Sequence, residues 1–325
     1  MRTTLRTLIA CAALAALALP AAGAQSDVLF RAMQDEMDRS MSELRLEGMD
    51  SPYFLSYRLQ DEYITTIDAR YGALTAVNDR HARFLYVECR VGDPSFDNSN
   101  FVSGWQDIGS GREGTVEEDD YEALRHAIWL ATDEAYKGAL EKLAGKESYI
   151  QAHPQKDTIP DFSPAEINVH IEKPVEHVVD VEAWQSEVSD AAEALEAYPS
   201  LQDWEVSFNA VAINKHYLNS EGSRHLKGAV YHYLEVAATA QAEDGQRLTS
   251  FLRYSTRGGD PLPTGDELAD DIRGMAEELE ALVAAKTLDE YAGPVLFTDF
   301  AAGQLFAQLF AAQLTPVKSP LLGAE

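Results

Sequence analysis

The chain has 325 residues, 46% of them hydrophobic and 25% charged, a globular balance with enough length for one large core or two to three smaller ones. Lys and Arg total 26 against 54 Asp and Glu, a formal net charge of −28. Nucleic acid and anionic membrane surfaces are therefore excluded as partners, since both need a positive patch. The aromatic content of 9% argues against disorder.

Arg2 and Arg6 precede an uninterrupted apolar run from Leu8 to Leu19, which Pro20 closes. Ala22-Gly23-Ala24 then supplies the small residues of a signal peptidase site. Residues 1–24 are expected to be a cleaved secretory leader, with cleavage near Ala24 and a periplasmic or secreted mature chain. The run is too short to span a bilayer, which takes roughly 20 residues. Leu8-Ile9-Ala10-Cys11 has the residue types of a lipid-attachment box, but too little apolar chain precedes the cysteine. After cleavage Cys89 stands alone, so no internal disulfide is expected. It closes the strand-like segment from Phe84 and reads as a small buried hydrophobe, with no sign of the positive surroundings or paired histidine that a thiol nucleophile needs.

The first predicted element is a helix carrying Leu29, Met33, Met37 and Met41 every four residues, a stripe that suits a core face. Gly48 to Pro52 breaks it. Four strand-like segments follow, Tyr53 to Leu59, Tyr63 to Ala69, Ala73 to Val77 and Ala82 to Val91, rich in aromatic and β-branched residues. Gly92 to Gly114 reads as loop. The acids Glu117 to Asp120 then open a long helix from about Tyr121 to Lys146, where negative charge at the first turn contributes about 0.3–1 kcal/mol each. Its expected stripe is Leu124, Ile128, Ala131, Ala135, Leu140 and Leu143.

Residues 153–179 hold four prolines and read as an extended connector. A helix follows from Val181 to Ala197 with Asp180 as N-cap. Trp204, Val206, Phe208 and Ala210 alternate as a half-buried strand, and Tyr217 to Gly222 closes a hairpin. Tyr231 to Gln241 and Arg247 to Tyr254 extend the sheet. Thr264-Gly265-Asp266-Glu267 has capping-box spacing for a helix to about Ala285. Tyr291 to Phe297 reads as a short strand and Phe300 to Leu314 as an apolar helix. The fold class is α+β, with mixed helices and mostly antiparallel sheets rather than regular βαβ winding.

The chemistry-bearing patterns are sparse. No Gly-rich phosphate loop, dinucleotide-binding turn or nucleophile elbow occurs. The histidines are His81, His126, His153, His170, His177, His216, His225 and His232, and none has a second imidazole four residues on, the spacing that grips zinc on a helix. His225 and His232, seven apart, point to opposite faces of a strand. Asp93 to Asn100 gathers oxygen-bearing side chains without the spacing of a calcium loop and reads as turn chemistry. No catalytic, cofactor-binding or metal-binding residue is assigned, and no cofactor.

Five segments together resemble the TldD/PmbA family, the modulator-of-gyrase proteins, in its exported branch. They are Pro52 to Arg58, Arg90 to Asp93 with Phe96 to Asn100, Ala127 to Lys137, Leu218 to Gly222, and Tyr291 to Phe297. Their order covers residues 27 to 315. The resemblance implies a zinc metallopeptidase relationship, in which active members carry His-Glu-x-x-x-His on a helix just after the strand that Val295-Leu296-Phe297 resembles. Here that window reads Thr298-Asp299-Phe300-Ala301-Ala302-Gly303, with threonine and glycine at the histidine positions and aspartate at the glutamate position. The departure resembles the family's non-catalytic TldE/PmbA-type subunit, which pairs with a TldD-type subunit to degrade unfolded peptides.

The expected organisation is a leader (1–24), an N-terminal α+β region (25–115), a central α+β region (116–290) and the beginning of a truncated C-terminal domain (291–325). The expected function is that of an exported non-catalytic subunit assisting proteolysis of unfolded peptides, through a homologous TldD-type subunit or self-association. The alternatives are the front part of a longer peptidase subunit, and a stand-alone periplasmic binding or scaffold protein.

Overall fold

The computed structural model describes residues 28–102, 113–154, 159–258, 260–287, 290–314, 318 and 320–322. The expected leader lies outside the described residues. Helix α1 (Val28–Glu43) buries Leu29, Met33 and Met37, with Met41 packed on the same cluster, so the methionine stripe is core.

Where four short strands are expected, the chain builds two long ones, β1 (Phe54–Arg70) and β2 (Ala73–Arg90). Tyr71 and Gly72 join them with φ of 50° and 69°, the left-handed pair that lets a tight hairpin follow the strand twist. The polar stretches around Asp61 and Asp79 look like breaks in the sequence. They continue the ladder because Asp61 meets Arg83 and Thr65 meets Asp79 across the strands.

The expected loop after Gly92 carries short strands: β3 (Gly92–Asp93) on β4 (Phe96–Asp97), then β5 (Phe101–Val102) and β6 (Glu113–Gly114), which pairs with β2. Residues 103–112 of that loop lie outside the described residues. Helix α2 (Tyr121–Ala152) runs past the expected end, and the Asp120 carboxylate accepts the Ala123 N–H at 2.8 Å as its N-cap. Its buried stripe keeps Leu124, Ile128 and Leu143 but adds Thr132, Tyr136 and Lys146, leaving Ala131, Ala135 and Leu140 half-buried. Polar residues reach the core because each finds a partner there. Thr132 donates to the Ile128 carbonyl and Tyr136 to the Asp50 carbonyl.

In the connector, β7 (Val169–Ile171) pairs in parallel with the start of a later strand. Helix α3 (Val181–Ala194) continues as a 3₁₀ turn to Ala197, and Asp180 accepts from Ala183 N–H at 3.1 Å, the expected cap. Three long antiparallel strands follow: β8 (Leu201–Asn219), β9 (Arg224–Gln241) and β10 (Arg247–Arg257). Helix α4 (Gly265–Val283) starts where expected, but Thr264 gives no side-chain cap. The Gly265 N–H instead donates to Glu187 Oε1 of α3 at 2.7 Å, so a neighbouring helix does the capping. Residues 291–297 form no strand, contrary to expectation. Val295 and Leu296 stand 63% and 86% exposed, and apolar β-type residues make a strand only where a sheet edge lies beside them. Helix α5 (Asp299–Leu314) follows, and β11 (Leu321–Leu322) pairs in parallel with β5. Among the described residues no helix is long and apolar enough to cross a membrane.

The strands assemble one seven-stranded sheet in the order β10-β9-β8-β1-β2-β6, with β7 also on β9. Because β1 pairs with β8, this sheet runs continuously through the N-terminal and central regions. Strands of 17 to 19 residues make it about 60 Å long at roughly 3.3 Å per residue. One helix pair cannot cover that length. At one end α1 and α2 close a core over Leu55, Tyr57, Leu59 and Leu218. At the other α3 and α4 close a second over Ile67, Trp204, Val206, Phe208 and Val236, with Trp184 stacked on Phe208 at 3.9 Å. Each large side chain fully buried there contributes about 1.5–3 kcal/mol. The alternation of Trp204, Val206, Phe208 and Ala210 is the expected one.

Candidate functional site

Between the two cores the helix-covered face of the sheet turns polar for three rows. Arg83, Asp61, Asn214 and Gly228 stand side by side across β2, β1, β8 and β9. The next rows are His81, Tyr63, Ala212 and Val230, then Asp79, Thr65, Ala210 and His232. Among the described residues only the ends of helices border this gap, Val28 and Leu29 of α1 and Val181 of α3. The connector crosses it at Pro174 to Val179, leaving two cavities of about 760 and 350 Å³ that share Tyr63 and His177.

The polar groups form two linked chains. Arg83 is buried and donates through Nε to Asp61 Oδ1 at 2.9 Å, through Nη2 to Asp119 Oδ1 at 2.8 Å, and through Nη1 to the carbonyls of Val116 and Glu118. The acidic run before α2 thus does more than start a helix: Asp120 caps it while Asp119 is clamped to the sheet. His81 Nε2 also meets Asp61 Oδ1 at 2.7 Å, and the Tyr63 ring stacks on His81 at 4.2 Å. In the second chain Thr65 donates to Asp79 Oδ1 at 2.5 Å and its oxygen lies 2.7 Å from His177 Nε2. A carboxylate cannot donate, so the shared proton geometry puts the N–H of neutral His177 on Nε2 and a lone pair on Nδ1. That Nδ1 is buried and has no hydrogen-bond partner. Burial pushes the pKa of His177 and of His232 down, with Asp79 pulling His177 partly back up.

The residues singled out in the sequence are scattered. Cys89 is buried, and burial raises its thiol to about 12, the state of an inert core residue. Asp93 to Asn100 is turn chemistry, as expected. Asp93 Oδ1 accepts from Ser95 and Phe96 N–H, Asp97 Oδ1 from Ser99, and Asn98 bridges Val91 and Cys89 backbone. Lys146, which the sequence pattern does not mark, is buried beneath this turn and donates to the Asp97 and Ser99 carbonyls and to Asp161. His225 stacks on Tyr217 on the opposite face from His232, the parity expected of a seven-residue spacing. Of the eight histidines only His81, His177, His216 and His232 belong to the gap or its cavities.

Among the described residues no three His, Cys, Asp or Glu side chains converge as metal ligands. The window from Thr298 to Gly303 opens α5, where the Thr298 carbonyl accepts from Ala302 N–H. Gly303 offers no donor atom and a Thr hydroxyl is a poor substitute for imidazole, so this window does not fit the zinc that the family resemblance implies. The gap itself was legible only indirectly. Asp61 and Arg83 break the apolar alternation at positions that face the core, but register counted from the Tyr71-Gly72 turn sets Asp61 opposite Ala82, and only the bulge between Asp68 and Ala69 brings it opposite Arg83.

No family model matches the chain, and no curated protein matches it. Among solved structures it is similar to a candidate modulator of DNA gyrase from Thermotoga maritima, at 14% identity and a TM-score of 0.46 over 79% of this chain and 50% of that one. It is similar to another candidate modulator of DNA gyrase, from Bacteroides thetaiotaomicron, at 12% identity and a TM-score of 0.41 over 78% and 49%. TldE from Thermococcus kodakarensis is similar at 12% and 0.38 over 78% and 47%. The chain spans about half the length of these solved chains. Gyrase modulators and TldE are the kind of protein that the five sequence segments resemble.

Proposed function

We propose that this chain is an exported, non-catalytic subunit of a TldD/PmbA-type peptidase, pairing with a TldD-type subunit and assisting its proteolysis of unfolded peptides. The observation that carries the reading is the state of α5. Phe300, Phe306, Leu309, Phe310 and Leu314 are each 45–66% exposed on one short helix, and the preceding Val295 and Leu296 are exposed as well. An apolar surface of this kind needs a cover, and it adjoins the window in which zinc ligands are replaced. The segment resemblance makes a homologous subunit the cover of matching chemistry. The leader-like residues 1–24 support export.

The test begins with the intact mass of the gene product from its own cells, followed by affinity purification under native conditions. A mass that ends at Glu325, with a motif-bearing sister chain recovered at one-to-one stoichiometry and peptidase activity only in the pair, is the expected result. A larger mass would show that further chain of the same protein covers α5. Stoichiometric zinc and intrinsic peptidase activity in the isolated chain would overturn the non-catalytic role. Phe306→Asp with Leu309→Asp should abolish pairing while changing stability by less than about 0.5 kcal/mol each, because both side chains are exposed.

A further inference from the structure

The polar gap has the make-up of a binding site, and we propose that it takes a primary ammonium or guanidinium group. Asp61 lies on the floor of the larger cavity with its side chain only 10% exposed. Both of its bonds, from His81 and Arg83, fall on Oδ1. Among the described residues no hydrogen bond is made to Oδ2, which leaves a carboxylate oxygen with open lone pairs facing the cavity. His177 lines both cavities and brings a second unpartnered acceptor, Nδ1. A buried acceptor such as Nδ1 is costly while it lacks a donor.

The charge around them selects the ligand. Among the described residues Asp61, Asp119 and Glu176 line the larger cavity against one cation, Arg83. Arg83 cannot attract an anion, because its guanidinium is spent on two carboxylates and two carbonyls. Tyr63 adds an aromatic face that is stacked on His81 and faces His177 at 6.4 Å, a setting that favours a cation over a neutral amine. An ammonium brings three N–H donors to Asp61 Oδ2 and the acidic rim, and the chain's charge of −28 steers cations toward it. Two sources carry this chemistry: a basic side chain of an extended peptide, or a free alkylamine.

The experiment uses the isolated chain without any partner subunit, so its outcome is independent of the pairing proposed above. Binding is followed by calorimetry and by NMR for three probes: butylammonium, an acetylated and amidated tetrapeptide with one lysine, and the same peptide with norleucine for lysine. Saturable binding of the lysine peptide, weakened by salt and absent for norleucine, is expected. Binding of butylammonium as well identifies free amines as ligands, and its failure beside a binding peptide identifies the peptide source. Asp61→Asn should weaken binding about tenfold, as loss of a charge-assisted contact does. Asp61 also holds Arg83, so Glu176→Gln, on the exposed connector, is the variant that cannot disturb the core, and it should weaken binding severalfold. Absence of binding by both cationic probes, equal binding of the norleucine peptide, or unchanged affinity in Glu176→Gln and any folded Asp61→Asn would each overturn the proposal.

Discussion

The carboxamide of Asn214 grips the backbone of Val175 twice: Oδ1 accepts its N–H at 2.8 Å and Nδ2 donates to its carbonyl at 3.0 Å. A side chain here imitates the ladder of a neighbouring strand and straps the connector across the gap. Gly228, beside Asn214 on β9, makes the close approach feasible, since a Cβ there would meet Val175 Cγ1 at 2.6 Å. Gly228→Ala should cost about 1–3 kcal/mol of stability by overpacking, measured by denaturant unfolding. Asn214→Ala removes two bonds worth about 0.5–1.5 kcal/mol each and should raise hydrogen exchange and proteolysis around Val175 before it affects the cores.

Lys146 is the buried pin of the turn that ends at Asn100. Its ammonium meets Asp161, and Lys318 shares that carboxylate at 2.9 Å from a more exposed position. Lys146→Met should lose about 3–5 kcal/mol because it leaves buried acceptors and a carboxylate short of their partner. Lys318→Met should lose about 1 kcal/mol or less, and comparing the two midpoints checks the ranking.

Acid should attack the same turn. Burial alone would raise Asp97, but hydrogen bonds from Ser99, Tyr53 and Arg90 hold it below the usual carboxylate range. Asp161 is also held low, against its own burial, by Lys146 and Lys318. A carboxylate with a depressed native pKa stabilises the fold above its unfolded value and loses that contribution as pH falls through the native one. Unfolding followed from pH 5 to pH 2 should therefore show a drop below about pH 4 that Asp97→Asn diminishes.

The histidines of the gap act in a higher window. Burial lowers His177 and His232, so the unfolded chain takes up their protons first as pH falls. Their stabilising contribution is complete above the unfolded value near 6.5 and declines below it. Melting temperature should fall between pH 7.5 and pH 5, and the slope should flatten in His232→Phe.

Cys89 should resist thiol reagents in the native chain at pH 8, because burial keeps it protonated up to about 12. Reaction at the rate of an unfolded control would contradict the buried position.

Local chemistry in the sequence was enough for whatever depends on neighbours along the chain. The α1 methionine stripe, the Asp120 and Asp180 caps, the alternation of β8 and the turn built from Asp93 to Asn100 all follow from helical or strand periodicity and from short side chains bonding nearby backbone. The α+β class follows from their order. What crosses the chain was decided by tertiary structure. Asp61 and Arg83 read as a break until strand pairing makes them partners, and Thr264 reads as a cap until Glu187 arrives from another helix. Residues 291–297 carry strand residues but pair with no strand among the described residues, and a ladder needs two edges. The gap itself arises because a sheet about 60 Å long outruns the helices that cover it, and periodicity does not encode that mismatch.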